Sequence, residues 1–149
     1  FKVFLRLIIF EKLSKGIMNH WFWHVADIFF VVFHTGVIFF NVFGWIWKKT
    51  RRWNLALLLL TGASWTLLGI FYGLGYCPLT DWHFDVLYKL VQTGLPNSYI
   101  HYLIERITGF HANPELVDQL TLYIFLAALV ISLFANLFTR KTQVRRKKN

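Results

Sequence analysis

Cysteine is almost absent from this chain, and its scarcity is the first constraint. Of 149 residues only Cys77 carries a thiol, so no disulfide can close within the chain and no cluster of cysteines can hold a metal. Acidic residues are also scarce, seven Asp and Glu against sixteen Lys and Arg, for a formal net charge of +9. Charged residues make up only 15% of the chain, while 56% is hydrophobic and the mean hydropathy is +0.48. A soluble domain of this size needs more polar surface. The positive charge alone would suit nucleic acid, but the Lys and Arg residues gather in short clusters beside apolar runs. That placement marks membrane topology and contact with anionic headgroups, so no nucleic-acid partner is expected. There is no repeat and no low-complexity tract, and the chain reads as one small all-α domain embedded in a membrane.

What is present is a series of apolar runs long enough to cross a bilayer. The first covers about residues 21–47, with Trp21 and Trp23 at one end and Trp45 and Trp47 at the other, placed as interfacial anchors. A tight basic turn, Lys48-Lys49-Thr50-Arg51-Arg52, follows it. The second run covers about residues 55–76 and puts Gly62, Gly69 and Gly73 on one helical face, a small-residue pattern for close helix packing. The third covers about residues 116–138 and leads into a basic tail, residues 140–149. Residues 1–17 are apolar but broken by charges. They read either as an interfacial helix or as sequence upstream of a start at Met18, the only methionine, which leaves residues 18–139 as the membrane domain.

Between the second and third runs, residues 77–113 are mixed in character. Pro78 ends one helix, and Thr80 is placed to cap another from Asp81 to about Thr93. A second short helix is expected from near Ser98 to before Gly109, and Asn113-Pro114-Glu115 reads as the start of the third span. Both short helices are expected on or near the membrane surface, as a cap over the outer end of the first span. The basic turn and tail are placed in the cytoplasm by the positive-inside rule, with the start of the first span and residues 77–113 outside. The basic residues of 1–17 run against that orientation.

The first run contains its own polar stripe. Asp27, His34 and Asn41 are seven residues apart, nearly two helical turns, and His24 falls on the same side one turn earlier. His34 lies about 16 Å from Trp23 along a helix, near the bilayer centre. A lipid-facing carboxylate is costly, so the stripe must face protein, water or a ligand. Two readings stay open. In one the stripe is a proton path or polar site opening outward. In the other it is a lock, with Asp27 accepting from backbone amides or a hydroxyl and His34 bonding to Thr61, Ser64, Thr66 or Ser132. Cys77, with His83 or His101 as base, forms a second candidate site in the outer segment. A metal would find its ligands in His24, Asp27 and His101, although no tight ligand motif is present. No histidine lies in the second or third run, so a haem held by two histidines of one chain is not expected.

Asp27 with His34, and Cys77-Pro78-Leu79-Thr80 after the second run, resemble a family of small bacterial membrane proteins catalogued as domain of unknown function 2784. Asn97-Ser98-Tyr99-Ile100-His101-Tyr102-Leu103 is similar to a later segment of that family, with a spacing one residue shorter. The resemblance spans about Trp23 to Tyr102. It implies a bacterial inner membrane and draws attention to Asp27, His34, Cys77 and His101, but brings no activity.

The expectation is therefore a bundle of three transmembrane helices with two short extracytoplasmic helices, N-terminus out and C-terminus in. The chain shows no complete catalytic set and no cofactor is assigned. Its function reads as a non-enzymatic accessory or structural component, with a membrane protein partner or a second copy beside it. The alternatives are a membrane-embedded enzyme or metal site, and an oligomeric proton or small-solute transport element.

Overall fold

The computed structural model describes the backbone of residues 2–148 and the side chains of residues 20–138. Within them lie five helices and no strand: α1 (Lys2–Phe43), α2 (Arg51–Tyr72), α3 (Pro78–Lys89), α4 (Tyr99–Thr108) and α5 (Pro114–Lys148). Three segments are long and apolar enough to cross a membrane: His20–Phe43, Arg51–Tyr72 and Pro114–Phe138. Only 17% of the first and 11% of each of the others is buried inside the chain, so most of their apolar surface is left for lipid. The protein is an all-helical membrane protein. The side chains of the basic tail and of residues 1–17 lie outside the described residues.

The first span ends at Phe43 rather than at Trp47, because residues 44–50 fold into a rigid turn. The Thr50 hydroxyl donates to the carbonyls of Gly44 (2.7 Å) and Trp47 (3.1 Å), and Arg51 Nε donates to Trp45 O at 2.9 Å. Trp45 Nε1 donates to Val42 O at 2.7 Å, which satisfies one of the carbonyls that the end of the helix leaves open. Gly44 is required at the crossing. A Cβ there would lie 2.5 Å from Phe40 O and 3.0 Å from Asn54 Nδ2.

α2 contains a π-helical stretch, Ser64–Leu68. Its wider turns let the chain fold back on it: Ser64 Oγ donates to Tyr76 O at 3.0 Å, and Gly75 N donates to Trp65 O at 3.3 Å. The reversal uses Gly73 (φ 104°) and Gly75 (φ 86°), a backbone conformation open to glycine. This corrects the expected glycine face. Gly62 does pack against the third span, 3.3 Å from Phe125 Cζ for an added Cβ, but Gly69 faces the backbone of Leu74 and a Cβ at Gly73 meets nothing within 4 Å. Those two glycines make a turn, not a helix–helix contact.

α3 starts three residues earlier than expected, with Pro78 in its first turn and Cys77 before it. It stops at Lys89, where Leu90 leaves helical geometry and Val91 takes φ 63°. α4 matches its expected bounds, and Asn113 Oδ1 accepts from Leu116 N at 3.2 Å, as expected of a cap at the start of α5.

The placement of α3 and α4 differs from a surface cap. Cys77 lies beside His34, His83 beside Asp27, and the Lys89 ammonium over the Trp23 ring. α3 therefore runs antiparallel to the N-terminal half of the first span along its whole length. α4 does the same, with Tyr99 against His34 and Arg106 against Asp27. Leu87, Tyr99, Tyr102 and Leu103 form the buried core there, packed by Val31, Ile38 and Phe84. Residues 77–113 cover Asp27 by lying alongside α1, not by sitting on its end.

Candidate functional site

The polar stripe on α1 is buried where it was expected. Asp27, His34 and Asn41 are 4%, 5% and 8% exposed. His24 is not part of it: it is exposed, with its ring tilted against that of His20, centroids 4.5 Å apart. The helix turns 100° per residue, and three residues before Asp27 that rotation carries His24 off the covered face.

Asp27 is bound more tightly than by backbone amides or a hydroxyl. Arg106 grips it with two parallel bonds, Nη1 to Oδ1 at 2.7 Å and Nη2 to Oδ2 at 2.8 Å. This fork is the strongest geometry available to a carboxylate. His83, fully buried on α3, adds a third bond from Nε2 to Oδ1 at 2.8 Å. A carboxylate only accepts, so His83 Nε2 carries the hydrogen. Burial pushes the His83 imidazole below its ordinary value, against the raising effect of Asp27, and Arg106 already supplies the counter-charge. His83 is thus the neutral partner of an ion pair. Arg106 Nη1 also donates to the Tyr102 hydroxyl on its own helix. One cluster ties α1, α3 and α4 together.

One turn-pair deeper, His34 stacks on Tyr99 with ring centroids 3.8 Å apart. Its Nε2 lies 3.9 Å from Cys77 Sγ, and its Nδ1 is buried without a hydrogen-bond partner. The expected bonds from His34 to Thr61, Ser64, Thr66 or Ser132 are absent. Those hydroxyls serve other groups: Thr61 accepts from Asn41 at 3.1 Å, Ser64 and Thr66 bond backbone carbonyls, and Ser132 donates to Asn54 at 2.7 Å. Cys77 pairs with His34, not with His83 or His101.

A third polar layer sits near the basic turn. Asn54 is fully buried, donates to the carbonyls of Phe40 (2.7 Å) and Asn41 (3.1 Å), and accepts from Ser132. Asn136 reaches Arg51 O at 3.1 Å. These bonds join all three spans, a common use of amides inside membrane bundles.

The proposed metal ligands are not brought together. His101 is buried with its Nε2 3.3 Å from Glu105 Oε1, on a different part of α4 from Arg106, and Glu105 also holds His111 at 2.8 Å. The His111 bond holds the Glu105 carboxyl below its ordinary range. Among the described residues no group of three His, Cys, Asp or Glu side chains converges on one point. The sequence reading missed Arg106 and Asn54. Arg106 had a signal: it is one of two Lys or Arg residues in residues 77–113, a segment of near-neutral charge, at a helical position one turn from Tyr102. Asn54 had only its place one turn inside a span.

The family model described as protein of unknown function, DUF2784, matches residues 24–137. The chain belongs to that family. No curated protein and no solved structure matches the chain.

Proposed function

We propose that this is a non-enzymatic component of a bacterial inner membrane, with the polar stripe of α1 acting as a structural lock. The observation that carries the reading is the closure of Asp27. Both carboxylate oxygens are taken by Arg106, and one also by His83. A carboxylate held by three donors in a site 4% exposed is a poor proton carrier or metal ligand, because either role first requires breaking the fork. What the cluster does well is hold two half-length helices against a span. The basic Lys48–Arg52 turn and the tail face the cytoplasm and anionic headgroups, with the start of α1 outside. The broad apolar faces of the spans suit an accessory subunit that packs beside a membrane partner or a second copy.

The test separates folding from activity. Asp27→Leu should abolish accumulation in membranes, and mild-detergent purification should bring down a fixed partner in constant ratio. Normal accumulation of Asp27→Leu would contradict the lock.

A second reading rests on the His34–Cys77 pair. A thiol 3.9 Å from an imidazole is the beginning of a reactive or metal-binding site. An absorption spectrum and metal analysis per chain decide it. Stoichiometric metal or a bound chromophore would make the pair a site, and neither would leave the lock as the working account.

A further inference from the structure

We infer that the C-terminal end of α1 and the turn after it carry a binding groove for one anionic phospholipid. The groove is lined by Gly36, Phe39, Phe40, Phe43, Ile46 and Trp47, with a volume of about 530 Å³. It is a membrane feature, and the inference rests on reading His20–Phe43 as a span. It does not depend on which side the turn faces.

Three observations select the occupant. The first is length. From Gly36 to Phe43 is seven residues, about 10 Å at helical rise, and the turn that follows adds Ile46 and Trp47, so the groove takes the part of an acyl chain nearest the headgroup. The second is composition. The walls are aromatic and aliphatic, Phe39 and Trp47 are 60% and 61% exposed, and a Cβ on Gly36 would meet nothing within 4 Å. A methylene chain is the matching filler. The third is charge. The groove ends at the turn that carries Lys48, Lys49 and Arg52, all exposed. That turn is rigid, because Thr50 and Arg51 bond back to Gly44, Trp45 and Trp47. A fixed group of cations on the turn that closes the groove's lining matches a headgroup phosphate with net negative charge. A zwitterionic lipid fills the groove equally well but gains less at its mouth.

The experiment is native mass spectrometry of the full chain released from bilayers of equal phosphatidylglycerol and phosphatidylcholine with identical acyl chains. Carbonate-resistant membrane association, measured first, tests the membrane reading separately. The expected result is one retained phosphatidylglycerol per chain, preferred about tenfold over phosphatidylcholine. Lys48→Gln with Lys49→Gln should remove the preference while a lipid is still held. Gly36→Leu, which adds bulk to the lining at a position where a Cβ meets nothing within 4 Å, should cut retention of both lipids at least about fivefold. Three outcomes overturn the inference: equal retention of the two lipids by the natural chain, retention by Gly36→Leu at the natural level, or release of a lipid-free dimer in which the groove is covered by a second copy.

Discussion

Removing the Arg106 side chain should hurt more than removing the charge it neutralises. Arg106→Ala leaves the Asp27 carboxylate, 4% exposed, with His83 as its one remaining donor. Breaking a buried ion pair from one side typically costs about 3–5 kcal/mol. A third of the Arg106 side chain reaches solvent, so the cost here is about 2–4 kcal/mol once partial screening is allowed for. Asp27→Asn is milder, about 1–2 kcal/mol, because the stranded cation can swing its exposed end to water while the amide still accepts from His83. In the double variant the costs should fall short of their sum by about 2 kcal/mol, as expected of groups in direct contact. The assay is reversible denaturant unfolding in mild detergent, read by helical circular dichroism, for the four members of the cycle. An Arg106→Ala cost below about 0.5 kcal/mol, or additive single costs within about 0.3 kcal/mol, would refute the clamp.

Three further outcomes follow from the same geometry. Asn54→Leu should cost about 1–2 kcal/mol and Ser132→Ala about 0.6 kcal/mol, since each interhelical bond in a membrane is worth little and Phe40 O keeps its bond from Gly44 N; detergent unfolding midpoints give the order. Gly44→Ala should cost about 1–3 kcal/mol because its Cβ has no room, whereas Gly36→Ala, in an open helical position, should be neutral or stabilising by up to about 1 kcal/mol; a thermal melt of the pair checks the contrast. His83, faced by Asp27 from α1 and by Arg106, Tyr102 and Tyr99 from α4, has its folded value below the unfolded one of about 6.5, so its neutral burial costs nothing at pH 8 and stability falls as pH drops through about 6.5. Melting temperatures between pH 8 and 5 should fall more steeply for the natural chain than for His83→Gln.

The stretches legible in the sequence were those with a single physical reading. Long apolar runs flanked by tryptophan and basic turns marked the three spans, and the seven-residue spacing marked the buried stripe from Asp27 to Asn41. The Asn113-Pro114 start of α5 followed from capping chemistry. The stripe's partners were not legible, because they come from helices brought beside α1 only by the fold. Arg106 entered only the charge balance of residues 77–113 until α4 set it against Asp27. His24 misled because a spacing of three residues places a side chain near a stripe without placing it under the same cover. Gly69 and Gly73 fit a packing motif, yet the π-helical stretch and positive φ values turned them into a reversal. The shallow surface cap was the natural reading of two short amphipathic helices, since amphipathicity alone does not separate a helix lying on a membrane from one standing beside a span.

That last difference holds the central claim, and the single native cysteine makes it directly measurable. A nitroxide attached at Cys77 reports its depth in a bilayer by power saturation with oxygen and a water-soluble nickel chelate. The packing of Cys77 against His34 predicts a label about 16 Å below the Trp23 level, open to oxygen and closed to nickel. A label at the interface, relaxed by nickel as readily as by oxygen, would contradict the placement of α3 beside the N-terminal half of the first span.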